Sequence, residues 1–164
     1  MLFSVVLSKY SNQSKGNMPN RKTQGDIGET EVVKLIQCPN CHKKLQKLPR
    51  NYPLYDVQCT GCSFRAQVKT SQSKPKGIIR GAGWDVIEKV MKVGITIPPL
   101  IVNFRWIKSG KKGQQILFFP FIPKSNLRRY QLSSNHRQPN YKMFNYTGLM
   151  RLPHFTLLQD ENKE

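Results

Sequence analysis

Residues 26–36 place Ile27, Val32, Val33, Leu35 and Ile36 at helical spacing, with Asp26, Glu29 and Glu31 early in the run. The pattern predicts an amphipathic helix that ends before Cys38-Pro39. The period then changes. Residues 55–59 and 64–70 alternate and are rich in strand formers, which predicts two short strands, and the brief connection between them predicts antiparallel pairing. Residues 84–92 return to the helical period, offering Val86, Ile87, Val90 and Met91 to a core, with Asp85 and Glu88 as charges near the helix start. After Pro98-Pro99 an apolar run over 100–107 predicts a buried strand. A turn signal over 108–113 and a further strand over 115–121 follow. Residues 8–23 are polar and rich in Ser, Asn, Lys and Gln, so 1–23 is expected to be a flexible lead-in, 24–158 one domain and 159–164 a polar tail.

Charge narrows the function. The chain has 164 residues and a formal net charge of +18, with 27 Lys and Arg against 9 Asp and Glu. That balance is the electrostatic footprint of a polyanion partner, and nucleic acid leads. No apolar run is long enough to span a bilayer, and residues 1–7 lack the basic region and cleavage site of a secretory signal, so neither membrane insertion nor secretion is expected. Lys74 and Lys76 stand in a basic loop at 71–77. Arg128, Arg129, Arg137 and Lys142 interleave with Tyr130, His136, Tyr141, Phe144 and Tyr146 over 124–151. Such a mixture suits phosphate contact and base stacking, although aromatics of this kind also fill cores.

The cysteines are arranged as two Cys-x-x-Cys pairs, Cys38 with Cys41 and Cys59 with Cys62. A two-residue spacer lets one turn aim two sulfurs at one ion, and zinc takes four thiolates tetrahedrally. Zinc is favoured over two disulfides. With its shell closed by four thiolates, such an ion would be structural. His42, beside Cys41, is expected to be a solvated neighbour.

Around the second pair run Pro53-Leu54-Tyr55-Asp56 and Gln67-Val68-Lys69. Gln67 and Lys69 share one face of a strand and Val68 takes the other, while Asp56 leads the partner strand. A hairpin would therefore gather a carboxylate, an amide and an ammonium on one patch, roughly 10 Å from Cys59. The plainer reading is a surface ion pair between Asp56 and Lys69.

Pro-x-x-Asp followed by Gln-x-Lys resembles the PD-(D/E)xK nuclease signature. Together with Cys-Pro-Asn-Cys before it and Cys-x-x-Cys between its halves, the order is similar to the DpnI and Dam-replacing group of restriction endonucleases. The resemblance is strongest between Cys38 and Lys69 and runs from about residue 25 to 158. It implies a restriction-endonuclease-like α/β core, a central mixed sheet flanked by helices with the four-cysteine zinc site embedded. It also implies magnesium-dependent hydrolysis of double-stranded DNA at a specific site, in some such enzymes a methylated one. Asp56, Gln67 and the Val68 carbonyl would hold magnesium, Lys69 would orient or activate the attacking water, and Glu29 would complete the site. Gln67 departs from the usual Glu or Asp. The setting implied is the cytoplasm of a prokaryote, at the nucleoid, and cutting both strands implies a homodimer or sequential nicking. The alternative from another class is a non-catalytic zinc-ribbon module that binds nucleic acid by charge.

Overall fold

A computed structural model of the chain describes residues 21–137 and 140–161. Most of the expected lead-in and the end of the expected tail lie outside these residues. The first element, α1 (Arg21–Leu35), puts Gly28 and Val32 on one stripe that Ile36 continues just past its end, and Val32 and Ile36 are buried. Ile27 and Leu35, which the sequence pattern also offered to the core, are exposed. The stripe is narrow because the helix lies very close to its support. A Cβ on Gly28 would stand 1.8 Å from Thr70 Oγ1 and 2.9 Å from Thr70 Cβ.

After α1 come β1 (Leu45–Lys47), β2 (Val57–Cys59), β3 (Arg65–Ser71), β4 (Ile79–Ala82), α2 (Trp84–Lys92), β5 (Leu100–Lys108), β6 (Lys111–Phe119), β7 (Leu127–Tyr130), β8 (Met143–Tyr146) and β9 (Phe155–Glu161). A six-stranded sheet has the order β1-β2-β3-β5-β6-β9, and a three-stranded sheet the order β4-β8-β7. The large sheet is mixed: β3 and β5 run parallel, and its other neighbours run antiparallel. The fold is thus mixed α/β, as expected. The strands β5 and β6 are longer than the turn signal suggested. Lys108 pairs with Lys111, leaving a two-residue turn at Ser109 and Gly110 with φ of 51° and 79°. Positive φ at both positions matches the right-handed twist of a hairpin.

Side-chain alternation splits the interior in two. Val68, Ile101, Ile116 and Phe118 face α1 and the cysteines, joined by Val32, Leu45, Val57 and Phe64. Leu100, Val102, Phe104, Leu117 and Phe119 face the opposite way, against Ile87 of α2 and Phe144 and Tyr146 of the small sheet. Every side chain on β5 from Leu100 to Phe104 is buried. One of them is polar, Asn103, and it is satisfied: its Nδ2 donates to Glu31 Oε2 at 2.8 Å, and its Oδ1 accepts from Gln114 Nε2 at 2.9 Å. Arg105 Nη1 donates to the other Glu31 oxygen at 2.7 Å. Glu31 therefore anchors α1 to the sheet.

The elements absent from the sequence reading are short or at edges. β1, β4, β7 and β8 have three or four residues each, too few to display a period. β9 is an outer strand with mostly exposed side chains, and it takes in Asp160 and Glu161, which the sequence suggested were part of a tail.

Replacing a helix-interior glycine with alanine ordinarily stabilises. Gly28→Ala should do the reverse. Rotating Thr70 cannot clear its own Cβ, so α1 must lift from β3, at a cost of about 1–3 kcal/mol. Chemical denaturation is expected to show a lower midpoint than wild type with an unchanged slope.

Candidate active site and metal centre

The two cysteine turns are built differently and meet face to face. In the first, the Cys38 N–H donates to the Lys43 carbonyl at 2.8 Å and the His42 N–H to the Cys38 carbonyl at 2.9 Å, with His42 at a φ of 58°. In the second, the Cys59 N–H donates to the Phe64 carbonyl at 2.9 Å, and Gly61 N–H donates to Cys59 Sγ at 3.2 Å. Pairing of Leu45 with Cys59 holds the turns together. All four sulfurs lie within 4.8 Å of one another, with Cys38 and Cys62 at 3.6 Å and Cys41 and Cys59 at 3.3 Å. Sulfurs at roughly 3.8 Å are what a tetrahedral Zn–S bond of about 2.3 Å requires, whereas a disulfide needs about 2.05 Å. The donor set fits zinc. The thiols share protons among themselves: the Gly61 amide and the neighbouring thiols outweigh burial and bring Cys59 down to about 7, while burial and the same neighbours push Cys41 up and Cys62 up to about 12. His42 is exposed and outside the cluster.

Since Cys38 and Cys59 belong to the apolar cluster beneath α1, loss of the ion should be felt as loss of fold. Elemental analysis is expected to find one zinc per chain. Stripping it with a strong chelator, or changing Cys59 to Ser, should lower stability by several kcal/mol, on the order of a structural zinc site. A metal-free protein with an unaltered melting curve would contradict this.

At the end of β2 away from Cys59, the β2–β3 pairing gives way to a polar edge. Asp56 stands one residue before β2: its N–H donates to the Ala66 carbonyl at 3.0 Å, and its Oδ2 accepts from the Val68 N–H at 2.7 Å. The carboxylate thus takes the place on the ladder that a longer β2 would have filled. The N–H and C=O of one strand residue point to the same side, so the Val68 carbonyl also faces this edge. The ion pair between Asp56 and Lys69 that would have made the pattern merely structural is not formed.

Gln67 and Lys69 pair with Leu100 and Val102, so both look towards the small sheet, and Val68, paired with Ile101, looks towards α1. The Gln67 side-chain oxygen accepts a hydrogen bond from the Tyr146 hydroxyl. Burial, then the Asp56 charge, raise the Tyr146 phenol well above its ordinary range, which brings Asp56, Gln67 and Tyr146 into one electrostatic neighbourhood. Lys69 is half-buried beside them.

Glu29 reaches the same edge from α1. Burial and then the Asp56 charge raise its carboxyl above the usual glutamate range, while Lys47 pulls it down. Lys47 on β1 sits 3.5 Å from Glu29 and 2.5 Å from Asp26, whose carboxyl it holds below the usual range through their hydrogen bond and its charge. These groups line a cleft of about 320 Å³ together with Tyr55 and Asp56. Asp56 and Glu29 are therefore brought together, while Gln67 and Lys69, on the face of β3 turned to the small sheet, do not line this cleft. Lys47 belongs with Asp56 and Glu29 and carried no sequence signal.

The predicted nucleic-acid contacts are spread out. Arg128, Arg129, Arg137 and Lys142 are all exposed on or beside the small sheet. Lys74 and Lys76 are exposed in the loop after β3, with the Lys74 ammonium 5.8 Å from the centre of the Trp106 ring. Sequence reasoning missed Arg80. In the register of the small sheet Arg80, Asn145 and Arg128 form one row, flanked by the buried row Ile79, Tyr146 and Leu127. The polar row therefore faces outward. Only the register, unreadable in a four-residue strand, could have found it.

No curated protein matches the chain. The model of the DpnI family, described as the Dam-replacing family, matches residues 9–160, a span that takes in both cysteine knuckles, the polar edge and the small sheet. Matched over nearly its whole length, this chain belongs to the DpnI, Dam-replacing family.

Proposed function

We propose that this protein is a magnesium-dependent endonuclease of a restriction system, with a restriction-endonuclease-like core, that cuts double-stranded DNA. The observation that carries the reading is the polar edge where β2 stops. Asp56 and Glu29 line one cleft, the Asp56 charge bears on the Glu29 carboxyl, and Val68, whose N–H donates to Asp56, is flanked on β3 by Gln67. Two carboxylates, an amide oxygen and a main-chain carbonyl are hard oxygen donors, a set that fits magnesium. When bound there, magnesium would supply Lewis-acid polarisation of a phosphoryl oxygen. Lys69, an ammonium with no carboxylate partner among the described residues, would orient the attacking water and offset negative charge growing on the phosphate. The family supports a DNA substrate, and with it an intracellular prokaryotic setting. None of the helices among the described residues is long and apolar enough to cross a membrane.

Plasmid DNA, methylated and unmethylated, incubated with magnesium or with EDTA is the decisive test. Discrete, magnesium-dependent fragments are expected. Asp56→Ala and Lys69→Ala should each slow cleavage by about two to three orders of magnitude and leave DNA affinity in EDTA intact. DNA bound by the wild type but cut under neither condition would favour the charge-driven binding module.

The exposed Arg80, Asn145 and Arg128 row supports phosphate contact. Arg80→Ala combined with Arg128→Ala should weaken DNA binding and reduce the slope of log affinity against log salt by about two, measured by fluorescence anisotropy. An unchanged slope would remove the small sheet from the interface.

A further inference from the structure

Tyr146 is wholly buried, yet its phenol oxygen has found one polar partner, and that partner is the residue at which this chain departs from the nuclease signature. Its ring is packed edge-on against Phe144, with centroids 5.0 Å apart, inside the core between the two sheets. No solvent reaches it, so the hydroxyl hydrogen depends on the protein for an acceptor. The Gln67 oxygen is that acceptor.

An amide differs from a carboxylate in having two unlike ends. A glutamate at this position would offer an oxygen in either orientation. A glutamine offers one oxygen and one NH₂ group, and the wrong orientation would turn a donor towards a cation. A carboxylate at this position would also meet the Asp56 charge, which already bears on the Tyr146 hydroxyl that Gln67 accepts from. Gln67 avoids that charge but needs its orientation held. A carbonyl oxygen has two lone pairs, so one can receive the hydroxyl while the other remains for a second partner.

Resting on the nuclease reading above, we infer that Tyr146 is a positioning residue of the cation site: its hydroxyl holds the Gln67 amide in one orientation, and so allows a neutral glutamine to stand where an acidic residue is usual. Asp56, whose Oδ2 is engaged by the Val68 N–H, is held by a separate bond, which leaves Gln67 as the member of the edge that Tyr146 controls.

The test is titration of the zinc-loaded full chain with Mn²⁺ by calorimetry, in the absence of DNA, for wild type, Tyr146→Phe, Gln67→Glu and the double variant. Tyr146→Phe is expected to weaken Mn²⁺ binding by about tenfold, the scale of one hydrogen bond, with zinc content and near-ultraviolet circular dichroism retained. In the Gln67→Glu background, where either oxygen serves, the same substitution should change Mn²⁺ affinity by less than about threefold. Cleavage should follow the metal: a lower kcat for Tyr146→Phe, with KM for DNA held. Equal affinities of wild type and Tyr146→Phe, or equal losses in both backgrounds, would overturn the assignment while leaving the nuclease reading in place. A Tyr146→Phe protein that loses its fold would assign the hydroxyl to stability and overturn it too. Wild type that takes up no Mn²⁺ would remove both readings together.

Discussion

The four sulfurs have to point at one centre, and much of the molecule is arranged by that requirement. Cys38 follows directly from the end of α1, and Cys59 closes β2. A single centre therefore fixes the segment after the helix against the turn of the β2–β3 hairpin. Leu45, Val57 and Phe64 pack around the sulfurs, extending the apolar cluster under α1 to a corner with very little side-chain mass of its own. Asp56 is three residues from that corner. Its position just before β2 follows from the β2–β3 register, and the cysteine knuckle braces the opposite end of the same strand.

A second constraint works from the other side of β3. Gly28 removes the one atom that would keep α1 away from the sheet, and Glu31 fastens the helix through Asn103 and Arg105. Between these two contacts lies Glu29, which has little freedom to move from the edge. The two glutamates, two residues apart, divide by environment: one is satisfied by a buried amide and a guanidinium, and the other is left beside Asp56 with Lys47 as a partial counterweight.

The parts of this arrangement that could be read from sequence are those with a strict spacing. Cys-x-x-Cys repeated once dictates a cluster whatever the surroundings, and the alternation through Gln67, Val68 and Lys69 sets their faces by the geometry of a strand. Long periodic elements such as α2 and the β5–β6 hairpin announce themselves for the same reason. What escaped is set by tertiary placement. Lys47 is an unremarkable base in a basic stretch until β1 pairs with β2, and Tyr146 is one aromatic among several until the small sheet folds onto Gln67. Arg80 and Arg128 are neighbours only through Asn145. The small sheet's strands, separated by up to tens of residues, carry no local mark of their pairing.

β8 carries residues of opposite allegiance in alternation: Asn145 looks out between two arginines, and Tyr146 looks in at Gln67. A strand of this kind is a partition wall one atom layer thick. Sequence drift on its outward side can alter which surfaces the protein grips, while its inward side is locked by packing and by a single hydrogen bond. Substitution along the outward side of this wall would leave the inward contact with Gln67 in place, and the strand that permits such change is the one that limits it.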